Sequence, residues 1–166
     1  MKKILLVLVL GVAAWWYFIG GRKLTEEHVR QFYAQSERLS LERKPEEMCK
    51  LLAESFEQLI TTRVSGQDQT ERHDKEESCK AMKRDYELFD QLGARMGGMI
   101  QLDSSYEIHS IDLSADKKRA IVDITSKLAI GGSLMKIRSR SVDTLIRRNG
   151  KVLIDHSDAR VMVSTG

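Results

Sequence analysis

The feature that most constrains this chain is the alternation in its second half. Ala120, Val122, Ile124, Ser126, Leu128 and Ile130 alternate with Ile121, Asp123, Thr125, Lys127 and Ala129. Successive side chains of a strand point to opposite faces, so a run of this kind reads as a half-buried strand. The period is already present from Tyr106. Gly131-Gly132 predicts a turn, a long strand follows from Leu134 to Arg148, and Asn149-Gly150 leads into a last strand from Lys151 to Val163. Asn-Gly accepts positive φ at both central residues of a tight hairpin. His156-Ser157-Asp158 marks a bulge or bend in the last strand.

The first half has a helical period. Thr25 to Leu41 reads as a helix with Val29, Phe32, Tyr33, Ser36 and Leu39 near one face. Pro45-Glu46-Glu47 opens a second helix, because proline suits the first helical position and carboxylates favour the positive helix end. Met48, Leu51, Leu52, Phe56, Leu59 and Ile60 continue it at helical spacing, as the clearest amphipathic stripe in the chain. Thr61 to Gln67 predicts a short strand, with a turn at Ser65-Gly66-Gln67-Asp68. Asp74 and Glu77 form a capping box, which starts a third helix. That helix carries Cys79, Met82, Tyr86, Phe89 and Leu92 on one side and ends at Gly93 or soon after. The expected class is α+β: three N-terminal helices packed on a curved antiparallel sheet.

An apolar segment precedes all of this. Lys2 and Lys3 lead into an uncharged run from Ile4 to Ile19, closed by Gly20-Gly21-Arg22-Lys23. Residues 1–23 are expected to be a signal anchor or a signal peptide, and residues 24–166 one folded domain. The anchor reading rests on Trp15-Trp16-Tyr17-Phe18, whose rings suit a membrane–water interface. The signal-peptide reading rests on the small residues Val12-Ala13-Ala14. Either reading exports the domain. The anchor makes it a single-pass inner-membrane protein facing the periplasm or the outside. Cleavage makes it soluble there.

With 27 basic and 24 acidic residues, the charge is too even to imply a nucleic-acid partner. Cys49 and Cys79 form a candidate disulfide, since an even pair in an exported domain favours a bridge. Two buried free thiols are the alternative. No His or Cys spacing suits a metal, and no cofactor motif is present.

The order of elements resembles the nuclear transport factor two-like superfamily, a curved sheet wrapped over helices to make a cone. The likeness lies in Leu51-Leu52-Ala53-Glu54-Ser55-Phe56 through Val64-Ser65-Gly66 to Asp74, and in Val142 to Ile154. The superfamily includes ketosteroid isomerase and SnoaL-like cyclases. The isomerase uses a carboxylate base with a Tyr and a protonated Asp that hold the enolate oxygen. The resemblance implies that Asp143 corresponds to that Asp, and that Tyr33 lies on the helix carrying the Tyr. Thr61 to Gln67, where the base would lie, holds no acid.

His109 is a third pocket candidate, on a strand of the cone. Met82, Phe89, Met96 and Met99 are the residues that could plug such a pocket. Lys136, Arg138 and Arg140 alternate along one strand, with Arg147 and Arg148 near the hairpin tip, as a candidate basic contact face. The leading expectation is a tethered, non-enzymatic binding or assembly domain. Its partners would be the membrane through residues 4–19 and an envelope protein or a second copy. The alternative is an exported enzyme of isomerase or cyclase type.

Overall fold

The computed structural model describes residues 23–64, 67–95, 97, 98, 100–132 and 135–165. The apolar segment 4–19, Met96 and Met99 lie outside them. The described residues form α1 (Glu26–Leu41), α2 (Pro45–Cys49), β1 (Leu52–Val64), β2 (Gln67–Asp74), α3 (Lys75–Arg95), β3 (Leu102–Leu113), β4 (Arg119–Ile130), β5 (Met135–Arg148) and β6 (Lys151–Thr165). The strands make one six-stranded curved sheet in the order β2-β1-β6-β5-β4-β3. It is mixed rather than purely antiparallel, because β1 runs parallel to β6.

Thr25 caps α1, its side chain accepting from the His28 N–H. The buried stripe Val29, Phe32 and Tyr33 packs on Ala120, Val122, Ile124 and Leu145 of the inner sheet face. Each large apolar side chain fully buried here contributes about 1.5–3 kcal/mol. The Asp74–Glu77 capping box is present in both directions, Glu77 N–H donating to Asp74 Oδ1 at 2.9 Å and Asp74 N–H to Glu77 Oε2 at 3.2 Å. Cys49 and Cys79 are bonded, tying α2 to α3 across a sequence separation of 30.

The stripe from Met48 to Ile60 is not a helix. α2 stops at Cys49, and the Ile154 N–H donates to Leu51 O at 2.9 Å, so pairing with β6 begins at once. β1 is an interior strand between β2 and β6. Leu52 pairs with Ile154 but Glu57 with His156, so the register slips between them. That irregularity buries Leu52, Ala53 and Phe56 together, a spacing that imitates a helical face. Pairing on both sides overrides the local period. Likewise Gln67 and Asp68 belong to β2, which antiparallel pairing makes from Gln67 to Asp74.

Two bulges set the site. On β6, Thr144 faces His156 while Leu145 faces Ile154, so Asp155 is an extra residue. A one-residue insertion exchanges the faces of all that follows. It turns Ser157 inward, opposite Asp143. On β3, Ile108 faces Ile124 and Ser110 faces Asp123, which leaves His109 as the extra residue.

Candidate functional site

Tyr33, Asp143 and Ser157 meet in the core. The Tyr33 hydroxyl donates to Asp143 Oδ2 at 2.8 Å and the Ser157 hydroxyl to Asp143 Oδ1 at 2.7 Å. Tyr33 is 7%, Asp143 4% and Ser157 6% exposed. Burial holds the Asp143 carboxyl above the usual carboxylate range, against the hydrogen bonds of Ser157, Tyr33 and Ser141 and the nearby His156. The Tyr33 phenol is raised by burial and then by Asp143, and it stays protonated. Desolvation therefore outweighs the hydroxyl donors, because among the described residues no cation is bonded to the carboxyl to offset the loss of water.

Two chambers flank this cluster between α1 and the inner sheet face. The smaller, about 200 Å³, is lined by Tyr33, Tyr106, Ser104, Ser126 and Ser139. The larger, about 340 Å³, is lined by Phe32, Phe56, Ile60, Met82, Ser78 and Ser157 among others. Ser36 and Met48 line both, while Asp143 lines neither. The inward polar group of β1 in the larger chamber is Gln58, an amide and not an acid. His73 and Asp85 also line it. His73 Nε2 stands 3.2 Å from Glu71. Burial raises the Asp85 carboxyl above its ordinary range, with Arg84 opposing.

The structure thus brings Tyr33 and Asp143 together but not His109. As the extra residue of its bulge, His109 turns away from the core, with Nε2 2.8 Å from Thr125 Oγ1 and Nδ1 4.0 Å from Glu107. The basic residues divide as well. Lys136, Arg138 and Arg140 are exposed on the sheet face opposite the helices, where Arg140 grips both oxygens of Asp123 at 3.1 and 2.7 Å. Arg148 shares their parity. Arg147 does not: alternation turns it to the other side, where it donates to Lys23 O at 2.8 Å. Met82 walls the larger chamber rather than plugging it, and Phe89 stacks edge-on with Tyr86 at 6.1 Å. Sequence reasoning missed Ser157, Gln58, Ser78 and Asp85. Only Ser157 carried a signal, its place in the expected bulge.

Among the described residues no group of acidic, His and Cys side chains could hold a metal ion, and no helix is long and apolar enough to cross a membrane. The sequence matches no protein-family model and no curated protein. Solved structures do resemble the fold. A provisionally assigned scytalone dehydratase from Novosphingobium aromaticivorans superposes with a TM-score of 0.61 at 14% identity, over 85% of this chain and 87% of that one. Aln2 from a Streptomyces species gives 0.59 at 13% identity, over 83% and 93%. A nuclear transport factor two-like protein from Pseudomonas putida gives 0.56 at 11% identity, over 81% and 84%. Likeness at such identity carries a fold and not an activity. The chain has the nuclear transport factor two-like α+β fold.

Proposed function

We propose that this chain is an exported, membrane-tethered domain that holds a small apolar molecule in the cone behind α1 without transforming it. The observation that carries the binding reading is the larger chamber, about 340 Å³ and walled mainly by Phe32, Met48, Phe56, Ile60, Met82 and Ile154. Pockets of this size and character are the usual small-molecule sites. The non-catalytic reading rests on the closure of the acid. Both Asp143 oxygens are taken by Tyr33 and Ser157, and Thr61 to Gln67, where the resemblance places the base, holds no acid. The Cys49–Cys79 bridge supports an oxidising compartment. Residues 4–19 supply the tether in this reading. Ile121, Val142 and Met162, 50%, 46% and 57% exposed on the outer sheet face, offer a surface for an envelope protein or a second copy.

The alternative, an exported enzyme of isomerase or cyclase type, is favoured by one observation: a buried Asp143, its carboxyl pushed up by burial, stands beside Tyr33, the two residue types that hold an enolate oxygen in ketosteroid isomerase. One experiment separates the two. The full chain is incubated with an organic extract of its own membranes, and bound and released molecules are compared by mass spectrometry. Recovery of the same molecule unchanged supports binding, and a converted product rejects it. Protease added outside intact spheroplasts should degrade the domain, and full protection would reject export.

A further inference from the structure

We infer that the end of the sheet where the chain enters the domain is a contact surface for anionic phospholipid headgroups, presented by the β3–β4 and β5–β6 hairpin tips. The inference rests on the tether proposed above and adds the lipid class that the domain meets. Leu24 is fully buried in the core. Its N–H donates to Lys117 O at 2.6 Å, and Lys23 O accepts from the Arg147 guanidinium at 2.8 Å. The chain is therefore fastened to both tips at its point of entry. Arg119 pairs with Ile146, and Arg148 with Lys151, so the two tips are neighbours at one end of the sheet. Between the apolar run that ends at Ile19 and the buried Leu24 lie residues 20–23 alone. Five steps of at most ~3.6 Å span about 18 Å. The headgroup layer takes about 5–7 Å of that. What is left is between one and two Debye lengths of about 8 Å at physiological salt. The tips therefore stay within reach of the headgroup field.

The tips also carry the charge that such a field attracts. Lys117, Lys118, Arg119, Arg148 and Lys151 are exposed there, with Lys23 beside them. Arg148 and Lys151 stand directly opposite each other across their hairpin, and like charges so placed destabilise it. Lys23, Lys117, Arg119 and Arg148 have no ion-pair partner among the described residues. Lys118 lies 3.9 Å from Asp116, and Lys151 adds a lesser pull on Glu47, whose partner is Lys50. Nearby carboxylates are engaged by other groups. Asp112 and Asp116 accept from Ser110 and Ser114, and Glu26 and Glu27 reach one turn along α1 to Arg30 and Gln31. Cations gathered without counter-charge repel one another, and an anion from outside removes that cost. The phosphates of an anionic leaflet are the anions that the tether brings within range. Each juxtamembrane cation strengthens such contact about 5-fold.

The test uses the ¹⁵N-labelled full chain in phosphatidylcholine nanodiscs, with phosphatidylglycerol added in rising fraction. The expected result is saturable shifts of the Lys118, Arg148 and Gly150 amides. Gln101 and Asp103, at the opposite end of the sheet, should not move. About 1 M salt, where the Debye length is near 3 Å, should abolish the shifts. Arg119→Gln and Arg148→Gln, at exposed positions, should each lower the bound-to-free ratio about 5-fold and melt no lower than the parent. Tips that ignore phosphatidylglycerol while the chain stays in the disc overturn the inference and leave the tether standing. Equal shifts at both ends of the sheet, or shifts undiminished by both substitutions, overturn it as well. Poly-glutamate that moves the tips on neutral discs, where phosphatidylglycerol does not, assigns the surface to an acidic protein instead. A chain that washes off the discs at alkaline pH has no tether, and the inference falls with it.

Discussion

Asp143 and Asp123 occupy neighbouring strands and nearly the same register, yet they live under opposite electrostatics. Asp143 pairs across β4–β5 with Val122, and Asp123 pairs with Val142. One step along the ladder changes the face, so the first carboxyl enters the core and the second meets solvent. Asp143 receives neutral hydroxyls and is pushed up by burial, whereas the Arg140 guanidinium holds Asp123 below the usual range. The difference teaches where function can lie. An exposed ion pair on a sheet face is screened and contributes little, whereas a buried acid fixes the shape of everything around it.

The largest expected effect is on the inner acid. Asp143→Ala leaves the Tyr33 and Ser157 hydroxyls buried without a partner and should cost about 3–4 kcal/mol in chemical denaturation. A loss no larger than that of a surface substitution would mean that water reaches the cluster. Breaking the Cys49–Cys79 bridge by a double Ser replacement comes next, on the order of 3 kcal/mol by loop entropy. Its neighbours Met48 and Ser78 line the larger chamber, so ligand affinity should fall with it. Affinity unchanged after the bridge is removed would separate that wall from the binding site.

The pH dependence of stability sharpens the contrast. Asp143 has a raised folded pKa, so the folded state keeps a proton that the unfolded chain releases above about 4. Stability from this group is complete below that value and declines as pH rises through the folded pKa. Asp143→Asn should flatten the decline, measured as denaturation midpoints from pH 4 to 8. Parallel profiles for parent and variant would place the proton elsewhere. Asp123 has the opposite sign: its contribution is present above the unfolded pKa and is lost as pH falls through the depressed one. Being exposed and screened, it gives the smallest effect. Asp123→Asn at physiological salt should leave the midpoint unmoved, and a clear drop would show that the outer face is more structured than a solvated pair.

The strand half was legible because alternation, Gly131-Gly132 and Asn149-Gly150 are local signals. The Thr25–Leu41 helix and the Asp74–Glu77 cap were legible for the same reason. The Met48–Ile60 stripe was not, because a register slip between Leu52 and Glu57 buries residues at helix-like spacing. Only the neighbouring strands reveal it. The candidate site divided in the same way. Tyr33 and Asp143 could be singled out through a resemblance in fold. His109 stands apart from them, because it follows inward-facing Ile108 and so lies on the outer face beside Thr125. Ser78 could not be found from sequence, because lining a chamber is a fact about surroundings and not about residue type.

The measurement that bears most directly on the central claim is native mass spectrometry of the full chain released from nanodiscs, beside an Ala81→Phe variant that fills the larger chamber. The account predicts a small neutral adduct on the parent that is lost in the variant, with the fold retained by circular dichroism. An adduct equally abundant on both, or absent from the parent, would contradict it.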